Sequence, residues 1–245
     1  MTRPSHSPTK IFAAVTIAFM LFAILVALGT WQVERRNWKH ALIRQVEARI
    51  HAPPVPVPGP AAWAGITAEK DAYRRVVVRG RYVNDRETYV RATTVRGSGY
   101  WVMTPLRTDE GYIVLINRGF VPPAMRKAHS TVTTPTTVIG LLRITEPKGG
   151  FLRGNDAAAD RWHSRDVTAI AGARSLSNVA PYFIDAQAEP MGKDTPVGGL
   201  TVVTFSDNHL VYALTWYSLS LIVLGGTVVL IRRDSRARQR TSGKD

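Results

Sequence analysis

Two runs without a single charge, residues 11–28 and 210–231, stand near the two ends of the chain and constrain its architecture more than any other feature. In the first, Thr16 is the one polar side chain, and no charge follows until Glu34. A helix rising ~1.5 Å per residue over either run is long enough to cross a hydrocarbon layer of ~30 Å. The first run is longer than the usual core of a secretory signal, and no small-residue cleavage site follows it, so it is expected to remain as an anchor. The second ends in Arg232 and Arg233, followed by Arg236, Arg238, Arg240 and Lys244, with only Asp234 and Asp245 against them. Such a basic flank is expected to stay in the cytoplasm. Two spans then put both termini there and translocate everything between. Ten residues before the first run are too few for an ordinary mitochondrial presequence, which points to a bacterial inner membrane with a periplasmic central domain.

Charge acquires its meaning from this topology. The chain carries 32 Lys and Arg against 18 Asp and Glu, a net +14 over 245 residues, which in a soluble protein would raise nucleic-acid binding first. Two of the basic residues, Arg3 and Lys10, fall in the leader and six in the tail; the loop between the spans keeps 24 against 16 acidic ones, net +8. Long loops cross a membrane largely regardless of charge. The excess, including Arg35, Arg36 and Lys39 directly after the first span, is therefore expected at the outer face, facing membrane lipids or an anionic ligand, and no nucleic acid is expected as a partner. A reporter fusion placing the loop in the cytoplasm would remove that exclusion. No cysteine is present, so disulfides, thiolate metal sites, covalently attached haem and cysteine nucleophiles are excluded.

The expected fold is that of an α+β membrane protein, two transmembrane helices flanking a mostly antiparallel β domain. A leader (1–10) precedes the first span (11–31), and the extramembrane domain (32–208) opens with a helical stretch to Ile50. A proline-rich segment (52–60) follows, whose five prolines predict an extended spacer. Residues 74–83, 88–93, 100–107, 112–120 and 133–142 are rich in Val, Ile, Thr and Tyr and predict strands. Short connections at Asn84-Asp85 and Asp109-Glu110-Gly111 predict hairpins of neighbouring strands. A helix over 166–173, capped by Ser164 or by Arg165-Asp166, and a strand over 182–186 complete the domain. The second span (209–231) and basic tail (232–245) close the chain.

Hydrolase, metalloprotease, nucleotide-loop and dinucleotide signatures are missing, and carboxylates are scattered without matching histidines, so the expectation is that the chain is not an enzyme. Of His6, His40, His51, His129, His163 and His209, only His209 sits where position adds information, at the outer end of the second span behind Asp207 and Asn208 as helix caps. On a helix from there, His209, Tyr212 or Ala213, and Trp216 share a face. An imidazole over an aromatic wall could ligate a haem iron, with Arg35 and Arg36 available for the propionates. Interfacial Trp and Tyr are also ordinary membrane anchors, which leaves a ligand-free alternative open.

Several stretches together resemble a known family. They are Leu28-Gly29-Thr30-Trp31-Gln32-Val33-Glu34-Arg35-Arg36-Asn37-Trp38-Lys39, then Gly80-Arg81-Tyr82, Gly99-Tyr100-Trp101-Val102-Met103-Thr104-Pro105-Leu106 and Val114-Leu115-Ile116-Asn117-Arg118-Gly119-Phe120-Val121-Pro122. After these come Gly140-Leu141-Leu142-Arg143 with Glu146-Pro147, Trp162 with Arg165-Asp166, and Asn208-His209-Leu210-Val211-Tyr212-Ala213-Leu214-Thr215-Trp216-Tyr217. In this order, between two spans, they resemble the Surfeit-locus cytochrome c oxidase assembly family. Phe120, Asp207 and His163 stand where the family often has Trp, Asn and Tyr; Asp207 adds a charge expected to orient the His209 imidazole or raise its pKa.

The resemblance implies an assembly factor for a haem-copper terminal oxidase, helping haem a into the largest oxidase subunit, with the haem a synthase as a further partner. It implies haem a as cofactor and His209 as the iron ligand; with the aromatic wall and arginines above, the expected binding site is His209, Tyr212, Trp216, Trp31, Arg35 and Arg36, with His40 as one candidate for the second axial position. A scaffold without cofactor remains the alternative; it predicts that assembly depends on Asn117 to Phe120 and survives His209→Ala. A membrane-anchored enzyme is the third reading. The Arg118-Gly119 pair reads as a turn after a strand, glycine there allowing a positive φ or close backbone approach.

Overall fold

In the structure, a computed structural model, residues 8–149, 153–188, 194–200 and 207–242 are described. They divide into two units, one of helices (residues up to Arg44 and from Asp207 on) and one of strands (residues 45–200). Leader residue Arg3 and tail residue Lys244 lie outside the described residues.

Helix α1 (Pro8–His51), which belongs to the helical unit as far as Arg44, and α4 (His209–Ser242) are both long and apolar enough to cross a membrane. The first span and the helical stretch after it are one helix without a break, because no glycine pair or proline interrupts residues 9–51. Along α1 the residues turned toward α4 are Leu25, Gly29, Gln32, Arg36 and His40, spaced by three or four, and from α4 they are met by His209, Ala213, Tyr217 and Ser220. Gly29 is required there by close approach: a Cβ would lie 2.7 Å from the Tyr217 ring. The Tyr217 hydroxyl is 3.2 Å from Thr30 Oγ1.

The strand unit is a mostly antiparallel sheet that closes on itself. Its strands are β1 (Val55–Pro56), β2 (Arg75–Tyr82), β3 (Thr88–Thr94), β4 (Gly97–Thr108), β5 (Ile113–Val121), β6 (Thr136–Ile144) and β7 (Val179–Ala186). Their order is β1-β2-β6-β7-β5-β4-β3, and a further pairing of β2 with β4 joins the ends into a barrel-like closure. The long β4 makes this possible, pairing its first half with β3 and its end with β2. Helix α2 (Ala68–Asp71) precedes β2, and α3 (Val167–Ala173) packs on the outside, capped by the Asp166 carboxylate accepting from Ala169 N–H.

Every residue of β5 is buried, because the strand has apolar cover on both faces. Val114 and Ile116 face an interior cluster with Val76, Leu106, Leu142, Tyr182 and Ile184, while Leu115 joins Met103, Trp162, Ile170 and Phe183 beneath α3. Alternation with period two therefore feeds two cores from one strand.

Three sequence expectations are corrected. The proline-rich segment is no free spacer: Val55 and Pro56 pair in parallel with Val76 and Val77, and Pro58 O accepts from Tyr182 and Trp63. Proline is tolerated at this sheet edge because half of an edge strand's N–H groups have no ladder partner. β2 and β3 do not form a hairpin; a short 3-10 turn, Asn84–Arg86, sends the chain away, and β2 pairs instead with β6 and β4. Finally, Gly119 lies inside β5 at φ 133°, not in a turn after it, and a Cβ there would sit 2.3 Å from the Val197 backbone, which bridges to Phe120.

Candidate functional site

At the head of α4 the chain builds a polar cluster from both long helices. The Asp207 carboxylate accepts the backbone N–H of His209 at 3.1 Å, satisfying one of the unpaired donors of the helix start. It also takes His40 Nε2 at 2.5 Å and Arg36 Nε at 3.4 Å. The hydrogen bond from His40, above all, holds its carboxyl below the usual carboxylate range. The imidazole of His209 is positioned elsewhere. Its Nδ1 lies 2.8 Å from Gln32 Oε1, an acceptor that suits a proton on Nδ1; in the neutral ring this tautomer carries its lone pair on Nε2. Among the described residues Nε2 has no partner. Asp207 thus orients the backbone of His209 rather than its ring, which corrects the role expected for that charge: an N-cap carboxylate faces the helix N–H groups, and the ring leaves toward α1.

The other expected site residues separate into two groups. Ala213, 2% exposed, shares the His209 face and Trp216 is half-buried near it, whereas Tyr212 is 54% exposed and turned aside. On α1, Trp31, Arg35 and Trp38 follow one another at i, i+4 and i+7 on an exposed face; the Arg35 guanidinium stacks 4.3 Å from the Trp38 ring centroid. Arg36, one position on, belongs to the Asp207 cluster and has its charge matched there. His40 spends its Nε2 on the same carboxylate. Gln32 and Tyr217 were not singled out in the sequence, although both lie in quoted motifs; the signal was their spacing, three after Gly29 and eight after His209. Among the described residues, no group of three or more His, Asp or Glu side chains could hold a metal ion.

A second cluster, missed in the sequence, is buried in the strand unit. Glu87 accepts from Thr104 Oγ1 at 2.7 Å, Arg118 Nη1 at 3.2 Å and Tyr89 Oη at 3.0 Å, and His129 Nε2 lies 3.3 Å away. His129 Nδ1 faces the Ser130 carbonyl at 3.2 Å, so both ring nitrogens point at acceptors and the imidazolium form is favoured. The Glu87 bond raises the His129 pKa against burial; burial works against Glu87 too, but bonds from His129 and Thr104 hold its carboxyl low. Burial and the Glu87 charge push Tyr89 up to about 12, leaving it a neutral donor. Ligands from residues 87 to 130 could not be gathered from spacing.

This pair makes a pH prediction. The raised His129 contributes stability that is complete below the ordinary histidine pKa, ~6.5, and lost as pH rises through its folded value. The lowered Glu87 contributes above the ordinary carboxylate range and loses it as pH falls through its own. Unfolding of the wild type followed from pH 6 to 9 should show a loss of stability that is absent in His129→Gln; equal slopes in both would contradict the assignment.

Comparison with known proteins finds relatives over most of the chain. The model of the SURF1 family matches residues 19–221. Surfeit locus protein 1 of Homo sapiens is 36% identical over 215 residues, 79% of this chain and 69% of the human protein. That of Takifugu rubripes is 33% identical over 219 residues, 80% of this chain and 88% of the fish protein. A SURF1-like protein of Monosiga brevicollis is 35% identical over 229 residues, 86% of this chain and 84% of its own length. With a family match over most of its length and two membrane-length helices around a closed β domain, the chain belongs to the SURF1 family.

Proposed function

We propose that the chain is an assembly factor for cytochrome c oxidase and that haem a is its cargo, held at the head of α4 on the way into the largest oxidase subunit. Residence in a bacterial inner membrane with the strand unit outside is part of this reading, supported by the basic tail. The observation that carries it is the His209 ring: Gln32 Oε1 beside Nδ1 supports the tautomer that has its proton on Nδ1 and its lone pair on Nε2. Histidines that ligate metals are set up this way, their second ring nitrogen donating to a carbonyl or carboxylate. Trp216 supplies apolar wall, and the exposed Trp31, Arg35 and Tyr212 supply further aromatic surface and an anion partner for carboxylates. Arg36, matched by Asp207, is the weaker anion partner of the two arginines. Beyond ligation by His209, the chain's own part is to bind and present, with no covalent bond of the cargo made or broken by its side chains.

The test is co-expression with the haem a pathway and absorption spectroscopy of the purified protein. Haem a should accompany the wild type and be lost with His209→Ala. Gln32→Leu, which removes only the ring's acceptor, should lower occupancy by about 10-fold or more. Full occupancy with an unchanged spectrum in His209→Ala would remove the ligand assignment. A haem-free wild type under haem-replete conditions would favour a scaffold. The scaffold's expected docking strip is not at Asn117 to Phe120, since Asn117, Arg118 and Phe120 are all buried; changing them tests folding, not docking.

A further inference from the structure

The hairpin of β3 and β4 forms one wall of an open cavity of about 440 Å³ lined by Arg91, Thr93, Ser98, Tyr100, Arg153 and His163, among others. Strand register explains the grouping. Arg91 stands opposite Tyr100 and Thr93 opposite Ser98, so these four side chains share one face of the hairpin. The backbone N–H of Arg91 donates to Trp162 O at 2.9 Å, which ties the segment carrying His163 along the free edge of β3.

Charge is what distinguishes this cavity. Arg91 and Arg153 make no ion pair with any described residue, and no described carboxylate lines the walls. A third guanidinium, Arg126, stacks 4.8 Å from the Tyr100 ring, with Asp160 no nearer than 4.0 Å. Guanidiniums present paired N–H donors that match phosphate oxygens, and a concave wall of one sign concentrates anions. Three hydroxyls beside them supply donors for the oxygens that the arginines leave over.

We propose that this cavity is a phosphate-binding site, occupied by a free phosphate compound or by the headgroup phosphate of an anionic lipid. It is independent of the haem a reading, since none of its residues belongs to the His209 cluster.

The full-length protein in detergent is titrated with pyrophosphate and, separately, reconstituted in nanodiscs with and without phosphatidylglycerol. Variants are Arg91→Gln/Arg153→Gln and, as a charge-matched control, Arg79→Gln/Arg107→Gln on exposed positions away from the cavity. Saturable pyrophosphate binding weakened about 10-fold or more by the cavity variant, and not by the control, supports the site for a free phosphate. Lipid-dependent binding lost only in the cavity variant supports it with lipid as the source. Equal weakening by both variants, or no cavity-dependent binding in either arm, overturns it. Should the cavity variant not fold, the His163 ring resonances of the wild type decide: they shift saturably with pyrophosphate if the site exists and stay fixed if it does not.

Discussion

Asp185→Ala is expected to destabilise the strand unit by about 2–4 kcal/mol, below the full cost of orphaning a buried charge because Arg143 and Arg165 are partly exposed and keep Glu146 between them. Asp185 lies in β7 with only 3% of its surface exposed. It accepts from Asn117 Nδ2 at 2.8 Å, Arg143 Nη1 at 2.8 Å and Arg165 Nη1 at 3.0 Å. Arg165 also holds Glu146, through Nη2 at 2.5 Å and Nε at 3.0 Å, and its guanidinium lies 4.7 Å from the Phe183 ring. Two carboxylates and two guanidiniums thus balance, and alanine would leave the pair of arginines with one carboxylate between them. Asn117 would lose its acceptor as well, while its own carbonyl still takes the N–H of Gly119. Denaturant unfolding of the full chain in detergent, followed through buried Trp162, measures the loss. Asp85→Ala, which removes an exposed pair with Arg86, should cost less than about 1 kcal/mol. A loss below about 1 kcal/mol in Asp185→Ala itself would show that the network contributes little.

The same network shows what was and was not legible. Asn117, Arg143 with Glu146, and Arg165 stood in three separate motifs, and their order along the chain could be read. That they meet at one carboxylate could not, because it depends on β7 inserting between β5 and β6, parallel to one and antiparallel to the other. Strand positions were legible from β-branched and aromatic composition, and β4 to β5 from a short turn. Pairing was not: Asn84-Asp85 looks like a hairpin connection, yet β2 finds its partners 24 and more residues away, in β4 and β6. β1 was hidden because the five prolines of residues 53–60 outweigh Val55 and Val57 in any reading of local propensity.

At the head of α4, helix periodicity brought His209 and Ala213 to one face, while the choice between Ala213 and Tyr212 needed the second helix. Close packing against α1 selects the small residue and turns the tyrosine outward. Gln32 was equally hidden, since a lone amide in a span has no pattern of its own. Its meaning comes from the ring 177 positions later that it holds.

Gly80→Ala carries the second large effect, about 3 kcal/mol, and for a reason that local conformation does not contain. Gly80 pairs with Thr136 of β6 and with Thr108 of β4, at the point where β2 leaves one neighbour and meets the other to close the barrel. A Cβ there would lie 2.1 Å from Arg107 O and 2.9 Å from Thr108 Cα, all backbone of the facing strand, so no side-chain rotation relieves it. Either β4 moves away, breaking the three-residue pairing of β2 with β4, or the strain is kept. Gly97 is the contrasting case: its φ of 95° disfavours alanine, but nothing lies within 4 Å, and the cost should be nearer 1–2 kcal/mol. Gly172, in α3 with open space around it, should gain about 0.5–1 kcal/mol as alanine. Hydrogen exchange distinguishes closure from general loosening: in Gly80→Ala, amides of residues 80–83 and 106–108 should lose protection first, while β5 and β7 keep theirs. Uniform loss across the sheet, or a cost no larger than that of Gly97→Ala, would mean that the β2–β4 pairing does not hold the barrel shut.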